Sequence, residues 1–127
     1  MTTKHRASCH CGQIQIDFEA QAPFTVYECN CSICQMVGYL HLILPREDVQ
    51  ITAGKALLTS YRFNTGVANH LFCPRCGVKP VYVPRSHPHG LSINGRCIEG
   101  VTLEELNIEP FDGANWEANV ASIQDQG

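Results

Sequence analysis

Seven of the eight cysteines stand in three short clusters: Cys9-His10-Cys11-Gly12, Cys29-Asn30-Cys31-Ser32-Ile33-Cys34 and Cys73-Pro74-Arg75-Cys76-Gly77. No other feature restricts the fold as strongly, because sulfurs at C-x-C and C-x-x-C spacing converge on a metal. Disulfides are the competing use. Against them, eight cysteines in 127 residues fall below the roughly 8 to 10% of disulfide scaffolds. Residues 1–8 also carry no apolar run of the kind an export signal needs. The first and third clusters together offer Cys9, Cys11, Cys73 and Cys76, the complement of a closed structural zinc site. The middle cluster offers only three thiols, Cys29, Cys31 and Cys34, so its fourth position falls to Cys97, to a histidine, to water or to a substrate.

The two kinds of site imply different work. In the C-x-x-C-G cluster the glycine is expected to let the backbone pass the metal without a Cβ in the way. Cys9 and Cys11 point to one face if extended, with His10 turned away. The four-sulfur site should therefore hold the fold. A three-thiolate zinc with an open face is a reactive centre, and its expected task is to hold a fourth sulfur as thiolate, because coordination deprotonates a thiol whose free pKa is about 8.5.

The rest of the chain is what such sites need around them. A length of 127 residues with 44% hydrophobic content fits one soluble domain spanning residues 1–127. The net charge of −3 gives no basic surplus for nucleic acid. The longest apolar stretch, residues 40–44, contains His41 and is stopped by Pro45, far short of the roughly 20 residues of a membrane helix. A cytoplasmic protein is expected.

Periodicity predicts a mainly β chain. Ile14, Ile16 and Phe18 alternate with Gln15 and Asp17, the pattern of a half-buried strand. Further extended segments are expected at residues 24–27, 39–44, 49–52, 57–63, 67–72, 78–83 and 91–94. Asn64-Thr65-Gly66 is the expected reversal of a hairpin. Pro80 suggests that 78–83 is an edge strand. Residues 35–38 read as a helical turn, and Thr102-Leu103-Glu104-Glu105 matches a capping box at the start of a short helix limited by Pro110.

Taken together, Cys9-x-Cys11-Gly12, Cys29-x-Cys31-Ser32-x-Cys34 and Phe72-Cys73-x-x-Cys76-Gly77 resemble the glutathione-dependent formaldehyde-activating enzyme family. Tyr61-Arg62-Phe63-Asn64-Thr65, residues 70–78 and Val83-Pro84-Arg85-Ser86 resemble its centromere protein V-like branch. The similarity runs over about residues 6–117, with 118–127 as a tail. The resemblance implies a β-tent fold stabilised by zinc, two zinc ions per chain, and an S-(hydroxymethyl)glutathione synthase type of activity, a carbon–sulfur lyase in reverse. It implies structural zinc ligands at Cys9, Cys11, Cys73 and Cys76, catalytic zinc ligands at Cys29, Cys31 and Cys34, and glutathione and formaldehyde as substrates. The chain departs from the family at Asn30, often histidine there, at Gln35, often basic, and at Asn69 and His70, where a basic residue often precedes the Phe-Cys pair.

Glutathione carries two carboxylates, so Arg62, Arg75, Lys79, Arg85 and Arg96 are candidate anchors. Arg85 is the favoured one, the others being read as solvated surface. His10, His41 and His70 are expected to be satisfied or exposed imidazoles, Cys97 a buried free thiol, and Phe18, Phe63, Phe111 and Trp116 core. The alternative function is a non-catalytic, zinc-stabilised protein-binding module in which both metals are structural.

Overall fold

A computed structural model of the chain describes residues 2–62, 68–84 and 90–112. They form two sheets with short helical turns between them, so the mainly β expectation holds. The first sheet has the order β1-β2-β5, with β1 Thr3–Ser8, β2 Gln15–Ala20 and β5 Val49–Ala53, all antiparallel. The second has seven strands in the order β10-β3-β4-β9-β8-β7-β6. These are β3 Thr25–Cys29, β4 Leu40–Pro45, β6 Thr59–Tyr61, β7 Asn69–Phe72, β8 Val81–Val83, β9 Gly90–Asn94 and β10 Asn107–Phe111. No helix among the described residues is long and apolar enough to cross a membrane.

The alternation read in β2 is the one that builds the core. Ile16, Phe18 and Ala20 are buried, while Gln15, Asp17 and Glu19 on the other face are not. Ile14, Ile16, Val26, Leu40, Val81 and Ile93 join residues of both sheets in one apolar cluster. Full burial of such side chains stabilises by about 1.5–3 kcal/mol each before chain entropy is set against it. The α-helix α1, Ser32–Val37, covers the expected turn and is closed by Gly38, whose N–H donates to the Cys34 carbonyl at 2.9 Å.

Several expectations are corrected. β1 has no apolar run, and only Ala7 in it is buried. It is held instead by its ladder with β2, by an Arg6–Asp17 pair at 2.8 Å, and by His5 against the rings of Phe18 and Phe24. The predicted short helix at residues 102–105 is a 3-10 turn, Leu103–Glu105, although the Thr102 N–H does donate to the Glu105 carboxylate at 3.1 Å. Pro110 does not merely stop that helix; it lies in β10, an edge strand parallel to β3, where a missing N–H can face solvent. β8 is not an edge: it lies between β7 and β9, and Pro80 precedes it, its carbonyl accepting from Asn94 N–H at 2.9 Å. β6 and β7 pair antiparallel as expected, and the reversal at 64–66 falls outside the described residues.

Gly54 and Gly77 both sit at φ +77°, a conformation costly for other residues. A Cβ at Gly54 would lie 2.3 Å from the Gln13 carbonyl oxygen, whereas at Gly77 it would meet nothing within 4 Å. Gly77 thus serves its cluster through its dihedral, not by making room. Gly77→Ala should cost about 1–2 kcal/mol, the left-handed penalty alone, and Gly54→Ala clearly more, read from urea unfolding midpoints.

Candidate metal centres

The first centre joins two distant stretches. Cys9 follows β1 and Cys73 follows β7; both are buried. Cys9, Cys11, Cys73 and Cys76 place their sulfurs within 4.8 Å of one another. The Cys9–Cys11 and Cys11–Cys73 separations are both 3.6 Å, against an edge of about 3.8 Å for a tetrahedron of sulfurs at 2.3 Å from zinc. The four residues fit the ion. Backbone donors turn toward the sulfurs, as Ile14 N–H does toward Cys9 Sγ at 3.3 Å. The return of the chain is fixed by Cys73 N–H on the Val78 carbonyl at 3.0 Å and Gly77 N–H on the Cys73 carbonyl at 2.8 Å. Burial alone would raise the Cys76 thiol, but the N–H groups of Cys11 and Val78 bring it down to about 6. A thiol so placed is a ready thiolate ligand.

The second centre is local. Cys29 ends β3, Cys31 is the N-cap of α1, and Cys34 is buried within α1. Gln35 N–H on the Cys31 carbonyl at 3.0 Å starts the helix, and Asn30 N–H on the Phe111 carbonyl at 3.2 Å ties the segment to β10. The three thiols hydrogen-bond with one another. Contacts with Cys29 and Cys34 hold the Cys31 thiol below the usual range, while contacts with Cys29 and Cys31, and then burial, push Cys34 above it.

Behind Cys34 stands His41, on β4 and buried, its Nε2 at 3.1 Å from Cys34 Sγ and its Nδ1 at 3.3 Å from Ser92 Oγ. Cys29, Cys34 and His41 bring one ligand atom each within 4.8 Å of the others. Cys31, the third thiol expected here, is not part of this group, although its thiol is hydrogen-bonded with those of Cys29 and Cys34. On the solvent side Cys29 and Cys34 line a pocket of about 630 Å³, walled also by Glu28, Asn30, Tyr39 and Asp112 among others. That volume suits a small ligand. Asn30 Nδ2 donates to Asp112 at 2.9 Å across its rim.

Other predicted residues are placed as follows. Cys97 joins neither sulfur group; partly buried against the core, it is pushed up to about 12 by burial, then by Cys9 and Cys76, so it neighbours the first centre. Arg85, Phe63 and Trp116 fall outside the described residues. Phe18 and Phe111 are buried, as expected of core. Arg96 is exposed and donates from Nε to the Gly38 carbonyl at 2.7 Å. Lys79, read as surface, is instead 8% exposed. His41 is the functional candidate that sequence reasoning passed over; its signal was a polar residue inside an otherwise apolar strand, Leu40–Pro45.

The sequence model of the glutathione-dependent formaldehyde-activating enzymes matches residues 4–111. The chain belongs to this family. A solved structure that resembles this family member, a protein of Rhodobacter sphaeroides, superposes with a TM-score of 0.75 at 32% identity, covering 83% of this chain and 97% of that one. The three cysteine clusters all lie inside the matched residues. The family name pairs a thiol, glutathione, with formaldehyde, and the centres described here are built of the sulfur ligands that bind zinc.

His41 and His70 lie in the interior of this assembly. Burial pushes His41 down to about 3 and His70 to about 4, with Lys79 adding to both. A folded pKa below the unfolded value of 6.5 means that the unfolded chain takes up the protons first. Their contribution to stability is complete above about 6.5 and is lost as pH falls toward those lower values. Imidazole nitrogen resonances of both residues should remain those of the neutral ring at pH 5.5, while those of a ring with the ordinary pKa titrate.

Proposed function

We propose that the protein joins a thiol to formaldehyde, and cleaves the adduct in reverse, as an S-(hydroxymethyl)glutathione synthase type of carbon–sulfur lyase. The observation that carries the reading is the pocket opening on Cys29 and Cys34, since a purely structural centre has no use for a cavity against its ligands. In this reading Cys9, Cys11, Cys73 and Cys76 hold a structural zinc, and Cys29, Cys31 and Cys34 hold a catalytic one, two ions per chain. Zinc bound by the second set supplies a Lewis acid that keeps an additional sulfur ionised at neutral pH.

The chain's own residues do the remaining work. Cys29 and Cys34 line the pocket, and Asn30, tied to Asp112, forms part of its wall. The reacting thiolate adds to the carbonyl carbon of formaldehyde. One C–S bond forms, the C=O π pair moves to oxygen, and that oxygen takes a proton from solvent. Holding the two reactants together in a confined pocket removes much of the entropy cost of their encounter. Arg85 is the proposed anchor for a substrate carboxylate.

His41 favours the second reading, a non-catalytic zinc-stabilised binding module, because an imidazole 3.1 Å from Cys34 Sγ is positioned to close the centre as a fourth ligand. Ligand counting separates the two. X-ray absorption of the zinc protein should change at one of its two sites when glutathione is added, by gain of one sulfur; two closed sites indifferent to glutathione would support the module. Cys29→Ser and Cys34→Ser should each lower the protein-catalysed exchange between glutathione and its formaldehyde adduct, followed by NMR exchange spectroscopy, by at least tenfold while the four-cysteine zinc is retained. Cys73→Ser should release that zinc and lower the melting temperature.

A further inference from the structure

Lys79 is the one described lysine or arginine that is buried. Its ammonium donates to His70 Nδ1 at 2.9 Å and stands 5.1 Å from the centre of the Tyr39 ring and 5.7 Å from that of Tyr82. Its backbone carbonyl is held by Asn94 Nδ2 at 3.0 Å. His70 stacks on Tyr82 at 4.9 Å, so the partner of the ammonium is itself fixed. A buried cation is strongly unfavourable unless a negative group answers it. Among the described residues no carboxylate pairs with Lys79.

What does answer it lies across one layer of rings. Tyr39 and Tyr82 pack on His41 at 4.5 and 5.0 Å, and His41 touches Cys34. The thiols of Cys34 and Cys31 are the groups that favour the charged form of Lys79, against burial, which lowers it. Aromatic faces and a neutral imidazole tolerate a cation without neutralising it, so the charge is kept for the sulfurs beyond. Zinc with three thiolates carries a net charge of −1, and a further thiolate makes it −2. Through a low-dielectric layer that difference is felt at a distance where water would screen it.

We propose that Lys79 is the buried counter-charge of the Cys29, Cys31 and Cys34 centre, a positioning residue that makes the arrival of one more thiolate there favourable. This rests on the reading of that centre as a thiol-binding site. Its role is electrostatic, so it discriminates by ligand charge: it helps an anionic sulfur and is indifferent to a neutral nitrogen.

The test uses the full chain loaded with cobalt(II) at both centres, as wild type, Lys79→Met and Lys79→Gln. Each is titrated with glutathione and, separately, with imidazole, reading the sulfur-to-cobalt charge-transfer band and the visible d–d bands. The expected result is a loss of glutathione affinity of at least tenfold in both variants, with imidazole affinity within twofold of wild type and cobalt stoichiometry unchanged. Equal glutathione affinity in wild type and variants overturns the counter-charge, as does a parallel loss for both ligands, which would mark a general disturbance of the site. If wild type itself takes up no thiol, the thiol-binding reading falls, and the counter-charge with it.

Discussion

The tether between residues 9–11 and 73–76 is the constraint from which the rest of the architecture follows. Cys11 and Cys73 are 62 residues apart in sequence and 3.6 Å apart at their sulfurs. A loop of that length costs only slowly more to close than a short one, but without a tether its closure must be supplied by apolar contacts alone. Here the first cysteine pair leaves the small sheet at the end of β1, and the second leaves the large sheet at the end of β7. A metal shared by these pairs would clamp one sheet to the other over the apolar cluster of Ile14, Ile16, Val81 and Ile93. In a chain this short, metal affinity then becomes folding free energy.

The limits of sequence reading lie where local pattern and tertiary demand part company. β2 was legible because its core face and solvent face alternate cleanly. β1 was not, because Lys4, His5 and Arg6 carry no hydrophobic signal, and the strand exists through its ladder to β2. β10 was hidden by Pro110, which argues against a strand everywhere except at an edge, and only the three-dimensional order of the sheet makes this an edge. Pro80 misled in the opposite sense, standing just outside a central strand.

The sites show the same division. Each cysteine cluster announces its candidate ligands by spacing, since two or three donors within six residues need little help from the fold. The residues behind the second centre announce little, His41 alone standing out as a polar residue within an apolar strand. His41, His70, Lys79 and Tyr82 come from β4, from β7, from the segment before β8 and from β8, and sequence gives each an ordinary surface or core reading. They meet because β4, β9, β8 and β7 are successive neighbours in one sheet. A buried polar cluster of this kind is specified by strand order, which no short motif encodes.

In the proposed reading the two centres use the same residue type for opposite ends because their ligands differ in provenance. The first gathers four sulfurs from two segments, so the fold and the ligand set are completed by the same event. The second draws three sulfurs from one six-residue stretch whose local geometry would survive many different folds. What the fold contributes to it is everything beyond those three: a pocket against Cys29 and Cys34 on one side, and on the other an imidazole, two phenol rings and a lysine with no carboxylate partner among the described residues. A closed four-sulfur centre would feel the same attraction only as a constant, since its charge does not change. A centre that must accept an additional negative charge and later release it does gain, because the cation lowers the energy of the anionic state without contacting the ligand that comes and goes.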